Sequence, residues 1–192
     1  NKFGHGGNEQ FGALSYKPGF AVNPLKFVNG IAKYAISKKL KIFEYSLVDK
    51  INKNNGYYTL ISKEGSVKAK KVVVATNGFY QEGLVPQLNS RILPVISNII
   101  VTRKLTDKEI DLHNFKTFSP IVNTKNLLYY YRKLPDNRIL FGTRGDYIGS
   151  DQSNLDRAKI MEKFFKNIFP DWASISIDYN WRGLIAMSQK LT

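Results

Sequence analysis

The 192-residue chain contains no cysteine. That excludes a disulfide framework, a Cys-ligated metal site and thiol chemistry within this segment, and it fits a reducing cytoplasm, the expected location. No apolar run approaches the ~20 residues that a membrane-spanning helix needs, and no signal peptide is visible. Acidic residues are few: 15 Asp and Glu stand against 29 Lys and Arg, a formal net charge of +14. Such a surplus raises nucleic acid or an anionic membrane as partners. The cations are dispersed, however, over Lys38, Lys39 and Lys41, then Lys68, Lys70 and Lys71, then Arg103 and Lys104, then Lys163 and Lys166. None of these groups makes the dense basic block of a nucleic-acid patch, and no zinc-finger or RNA-stacking motif is present. The expectation is a solvated Lys-rich surface, with no nucleic-acid partner and no membrane span.

Histidine is scarce too. Neither His5 nor His113 has a partner at metal-ligand or acid–base spacing, so no metal site is expected and both read as exposed. Gly4 to Gly7 is Gly-rich, but a phosphate cradle needs a strand before it and a helix after it. No strand precedes these residues, so they read as a loop.

What is present supports a sizeable core, with 43% hydrophobic and 13% aromatic residues. The organising stretch is Lys68 to Tyr80. Val72, Val73, Val74 and Ala75 form a continuous apolar run, the pattern of a strand buried on both faces. Thr76, Asn77 and Gly78 end it abruptly. In an open α/β sheet, ligands sit just beyond the carboxyl ends of such strands, and Gly78 offers no Cβ to keep a ligand from the backbone. An ordinary turn after a buried strand has the same pattern.

Asn23-Pro24 is a helix start, with Asn as cap and Pro at the first helical position. Leu25, Val28, Ile31, Ala32, Ala35 and Ile36 recur at helical spacing, and Lys38 and Lys39 fall in the last turn. Residues 41–48 read as a strand that 49–53 extends. Asn54-Asn55-Gly56 and Lys63-Glu64-Gly65 are turns on either side of a strand over 57–62. Beyond Arg91, residues 92–101 are β-rich. A short helix over 105–112 begins at Thr106, with Glu109 three residues later as a capping box. Residues 127–134 and 138–143 form a hairpin about Pro135-Asp136-Asn137. Leu155, Ala158, Met161, Phe165 and Ile168 give residues 151–169 an amphipathic helical stripe that Pro170 closes. A last strand spans 175–181, and 183–192 reads as a loop-like end.

Four stretches, in this order and at this spacing, resemble the FAD-dependent amine and amino-acid oxidoreductases of the D-amino-acid oxidase superfamily. They are Asn23-Pro24-Leu25 through Gly30-Ile31-Ala32 to Ile42-Phe43-Glu44; Ala75-Thr76-Asn77-Gly78; Tyr131-Arg132 through Arg138-Ile139-Leu140-Phe141-Gly142; and Trp181-Arg182-Gly183-Leu184. The resemblance implies an α/β plus α+β fold. Residues 1–88 would be part of a Rossmann-like FAD-binding domain, 89–178 an antiparallel-sheet substrate domain roofing the flavin, and 179–192 a return segment to the FAD-binding domain. The glycine fingerprint of such a domain is absent from the chain and would lie before Asn1, while a further flavin contact would follow Thr192.

The same resemblance assigns roles. Val48 matches the residue whose backbone meets the adenine. Ala75, Thr76 and Gly78 match the turn beside the cofactor, and Trp181 and Gly183 match the W-x-G element near the flavin. Lys190 stands about where relatives often carry Asp. The implied activity is oxidation of an amine, or an amino acid, by hydride transfer to FAD, with no dedicated general base. An α-amino acid would need an arginine for its carboxylate, and Arg144 and Arg132 are the candidates. Tyr129 and Tyr131 share one face of the hairpin and Tyr130 with Arg132 the other, so one set faces the flavin. Tyr129 and Tyr131 are the candidates for an amine pocket, offering ring faces and hydroxyls to a cationic substrate. Two other readings compete: a basic nucleic-acid-binding module, and a non-catalytic binding domain derived from the same fold.

Overall fold

The computed structural model describes residues 6–188 except 10, 18, 127 and 147–150, and excepts the side chains at 144–146, 151, 152 and 154. The chain forms two units, Asn1–Ala21 with Pro94–Ile185, and Val22–Leu93 with Ala186–Thr192. Residues up to Ala21 group with the later sheet.

In the unit beginning at Val22, helix α1 spans Pro24–Ser37. The Asn23 side chain accepts from the Lys26 N–H at 3.0 Å, as its sequence signature requires. The helix ends in a Schellman-type closure. Leu40 N–H donates to Ala35 O at 3.1 Å and Lys39 N–H to Ile36 O at 2.8 Å, with Lys39 at φ 66°. Lys38 and Lys39 are thus the helix stop rather than its last turn. No residue of α1 is buried, because among the described residues no element covers its apolar stripe.

Three strands follow, β1 (Lys50–Asn54), β2 (Tyr57–Ser62) and β3 (Gly65–Ala69), in one antiparallel meander. Asn55 at φ 47° and Gly56 at φ 77° make the first turn, which needs left-handed backbone at both positions. Residues 41–48 are not a strand: Tyr45, at φ 54°, breaks the extended run before the ladder starts. The apolar run at Val72–Ala75 is also corrected. It joins no sheet, and Val73 is 88% exposed. A central parallel strand takes its hydrogen bonds and both covering layers from neighbours, and none of the described residues supplies them.

The other unit is built on a five-stranded antiparallel sheet in the order β5-β6-β7-β4-β8. Its strands are β4 (Ile92–Thr102), β5 (Ile121–Val122), β6 (Tyr129–Lys133), β7 (Ile139–Asp146) and β8 (Ile177–Ser188). The last strand runs on through residues expected to be loop. Helix α2 (Asp107–Leu112) carries the expected reciprocal capping box between Thr106 and Glu109. Helix α3 (Asp151–Ile168) lies over one sheet face. Its Met161, Phe165 and Ile168 meet Ile100, Tyr129, Tyr131, Ile139 and Phe141 from the sheet, with Phe115, Phe169 and Trp172 closing the cluster. Burying each such ring or aliphatic side chain stabilises by about 1.5–3 kcal/mol. The Trp172 indole N–H donates to Glu109 O at 2.6 Å, which ties α2 into this core.

His113, expected at the surface, is only 6% exposed and packs edge-on against Phe169 and Trp172. It receives the amino-terminal segment. Gly6 N–H donates to His113 O at 2.6 Å, and His113 Nδ1 lies 3.0 Å from Gly6 O. Asn8 N–H then donates to Ile168 O at 2.8 Å, and Lys125 pairs with Glu9. Gly7 is needed there, because a Cβ would stand 2.7 Å from Ile168 O. Burial lowers the His113 pKa, with Asp171 and the Gly6 contact opposing it. His5 and Lys190 lie outside the described residues.

Candidate functional site

Alternation along the strands gives the sheet two faces. Tyr129, Tyr131, Ile139 and Phe141 turn to α3. Tyr130, Arg132, Leu140 and Gly142 turn away from it, as do Ser97 and Ile99, which pair with Arg144 and Gly142 respectively. Tyr129 and Tyr131 are 8% and 2% exposed. Tyr129 packs on Phe164 with centroids 5.3 Å apart, and Tyr131 stacks on Phe141 at 6.0 Å. These rings are therefore buried in the core that α3 covers. Sequence alternation separated the two sets of tyrosines but not which set meets the helix.

On the face away from α3 the structure assembles a group that the sequence reading missed. Tyr130 lies directly opposite Gly142 in the β6–β7 register. Its ring lies across that glycine, since a Cβ at 142 would stand 2.1 Å from Tyr130 Cε2 and 2.3 Å from Cζ. The hydroxyl thereby reaches over β7 to β4, where it meets Ser97 Oγ at 2.5 Å. A glycine facing a tyrosine in a hairpin register is the sequence signal for such a crossing. Arg144 is on β7 opposite Ser97, at a position of the same face; its side chain lies outside the described residues. Arg132 is half-buried on this face.

Edge strand β8 carries Trp181 and Gly183, two residues apart and so on one side of the strand. Trp181 is 44% exposed. A Cβ at Gly183 would have no atom of the described residues within 4 Å, so their packing does not call for glycine there. Room for close approach of something else is the alternative reason for a glycine in a strand. Arg138 helps hold this edge: its guanidinium donates to Asp178 at 2.6 Å and to Thr102 O at 2.8 Å, and its charge is held by that carboxylate.

In the other unit, Val48 is half-buried one residue before the meander's hydrogen bonds begin with Asp49 N–H to Ile61 O at 2.8 Å. Ala75 and Thr76 are exposed, and Thr76 enters a single 3-10 turn over Asn77–Phe79 in which Gly78 is buried. The left-handed backbone of this bend falls on Asn77, at φ 52°. Tyr80 organises the loop that follows. Its hydroxyl accepts from Val85 N–H at 3.2 Å, while Asn89 Oδ1 accepts from Gly83 N–H at 3.0 Å. Among the described residues no group of His, Asp and Glu could hold a metal ion, and no helix is long and apolar enough to cross a membrane.

The chain belongs to the DAO family of FAD-dependent oxidoreductases, whose model matches residues 3–191. It is 32% identical over 174 residues to a probable oxidoreductase, OrdL, of Haemophilus influenzae, covering 89% of this chain and 39% of that protein. It is 30% identical over 172 residues to gamma-glutamylputrescine oxidoreductase of Escherichia coli, covering 90% of this chain and 39% of that protein. The chain thus spans about 39% of the length of these curated relatives. In fold it is similar to glycine oxidase from Bacillus cereus, with a TM-score of 0.68 at 18% identity over 85% of this chain and 44% of that one.

Proposed function

We propose that this chain is part of a FAD-dependent oxidoreductase that oxidises an amine, or an amino acid, by hydride transfer to the flavin. The observation that carries the reading is the family match over residues 3–191, together with an antiparallel sheet whose face away from α3 is half-buried rather than part of the core. FAD supplies the hydride acceptor when bound. Val48, Ala75, Thr76 and Gly78 are the residues for its adenosine side and neighbouring turn, and Trp181 and Gly183 for its flavin side. The vacant space at Gly183 fits a planar ring pressed against backbone.

The substrate lies on the face away from α3. Tyr130 is a candidate there, its ring face offered to a cation and its hydroxyl fixed by Ser97. Arg144 is the partner for a carboxylate. These residues would orient the amine carbon whose C–H bond breaks; bound FAD would supply the two-electron hydride acceptor, and loss of the hydride would leave an iminium ion. The FAD-binding role of residues 22–93 and the substrate role of the sheet belong to this proposal. Purified full-length protein is expected to be yellow, and its flavin band is expected to bleach anaerobically on adding an amine. A colourless full-length protein that FAD cannot reconstitute overturns the reading.

A further inference from the structure

Asn77 occupies the one left-handed position of the bend that ends the Val72–Ala75 run, at φ 52°. Glycine is the residue best suited to that backbone, and asparagine is tolerated at some cost. The adjacent Gly78 does not use its freedom, for its φ is not positive. An asparagine where glycine would be less strained points to work done by the side chain. That work is visible: Asn77 Oδ1 accepts a hydrogen bond from Ala186 N–H at 2.8 Å, across 109 residues of sequence. Ala186 lies in β8, three residues after Gly183, and belongs to the same unit as Asn77.

We propose that Asn77 is a positioning residue for the cofactor: its amide ties the Ala75–Gly78 bend to the end of β8, so that both segments keep one relation and FAD binds to it. The proposal rests on the flavoenzyme reading above. The atom that acts is Oδ1 alone, because the partner is a backbone N–H. A carboxylate oxygen at the same place can accept the same bond, whereas glycine keeps the backbone and loses the acceptor.

Three variants of the full-length protein separate these contributions. Asn77→Gly relieves any backbone strain and removes the tie. Asn77→Asp keeps the acceptor. Asn77→Ala removes the tie and strains the backbone. Two readouts are taken: hydrogen exchange at the Ala186 amide in the apoprotein, and FAD affinity by flavin fluorescence titration. Asn77→Gly is expected to speed exchange at Ala186 and to weaken FAD binding about tenfold, the scale of one hydrogen bond lost from a preorganised site. Asn77→Asp is expected to restore both. Unchanged FAD affinity in Asn77→Gly, or unchanged exchange at Ala186, overturns the proposal, as does an Asp variant no better than Gly. A wild-type protein that binds no FAD overturns the flavoenzyme reading and the cofactor role with it, while the exchange data still report on the tie, so the two failures are told apart.

Discussion

Replacing Gly142 with alanine probes how Tyr130 is placed. The new methyl would fall 2.1 Å from Tyr130 Cε2 and 2.7 Å from its hydroxyl oxygen, separations that no carbon contact sustains. The β7 backbone is held on both sides, by β6 and by β4, so the ring must leave. It then loses the Ser97 bond, about 1 kcal/mol, and its packing against the sheet, about 1 kcal/mol more. Alanine returns part of this, about 0.4–1 kcal/mol, by restricting the unfolded chain. The net expected loss is about 1–2 kcal/mol, or ~2–8 °C in Tm for a domain of this size. A double-mutant cycle isolates the cause. In a Tyr130→Ala background Gly142→Ala should be nearly neutral, giving a coupling of at least ~1 kcal/mol in thermal or denaturant unfolding. Equal costs of Gly142→Ala in the two backgrounds would refute the crossing of Tyr130 over Gly142, and with it the claim that this ring is fixed on the face away from α3.

Other perturbations test the rest of the account. Glu109 is held at a pKa of about 2, chiefly by the Arg103 guanidinium and then by the Thr106 N–H. Because the folded pKa lies below the unfolded one, its contribution is present above pH ~4.5 and lost as pH falls toward 2. Glu109→Gln should therefore cost about 1 kcal/mol at neutral pH and progressively less in acid unfolding curves, since this pair is half-exposed and screened. Burial keeps His113 neutral, so its penalty for protonation grows as pH falls below ~6.5. His113→Gln should flatten the stability profile just below that pH in denaturant titrations. Phe165→Ala, in the fully buried aromatic cluster, should destabilise by about 3–5 kcal/mol in the same measurement. Tyr129→Phe should leave substrate KM unchanged, while Tyr130→Phe should raise it, since of the two only Tyr130 stands on the face proposed for the substrate.

Features coded by neighbours in sequence were legible in the chain. Asn23-Pro24 starts a helix, Thr106 and Glu109 cap one, and Pro135-Asp136-Asn137 turns a hairpin, because each signal acts within a few residues. Features set by distant partners were not. His113 reads as an exposed residue until Gly6, 107 positions away, covers it. Val72–Ala75 has the composition of a buried strand, yet strand status depends on neighbouring strands that the described residues do not include. The tyrosines of β6 carry the same lesson: period two sorted them into sets, and only the docking of α3 shows that Tyr129 and Tyr131 are the set it covers. The Asn77 bond to Ala186 has no local signal beyond an asparagine beside a glycine.

The most direct test of the central claim is FAD titration of the full-length protein carrying Gly183→Val. No atom of the described residues stands within 4 Å of a Cβ at that position, so the apoprotein is expected to unfold at the wild-type temperature. The side chain would instead enter the space assigned to the flavin, and FAD affinity is expected to fall by at least about tenfold, ~1.4 kcal/mol. Undiminished FAD binding by the Gly183→Val protein would contradict the assignment of this edge of the sheet to the cofactor.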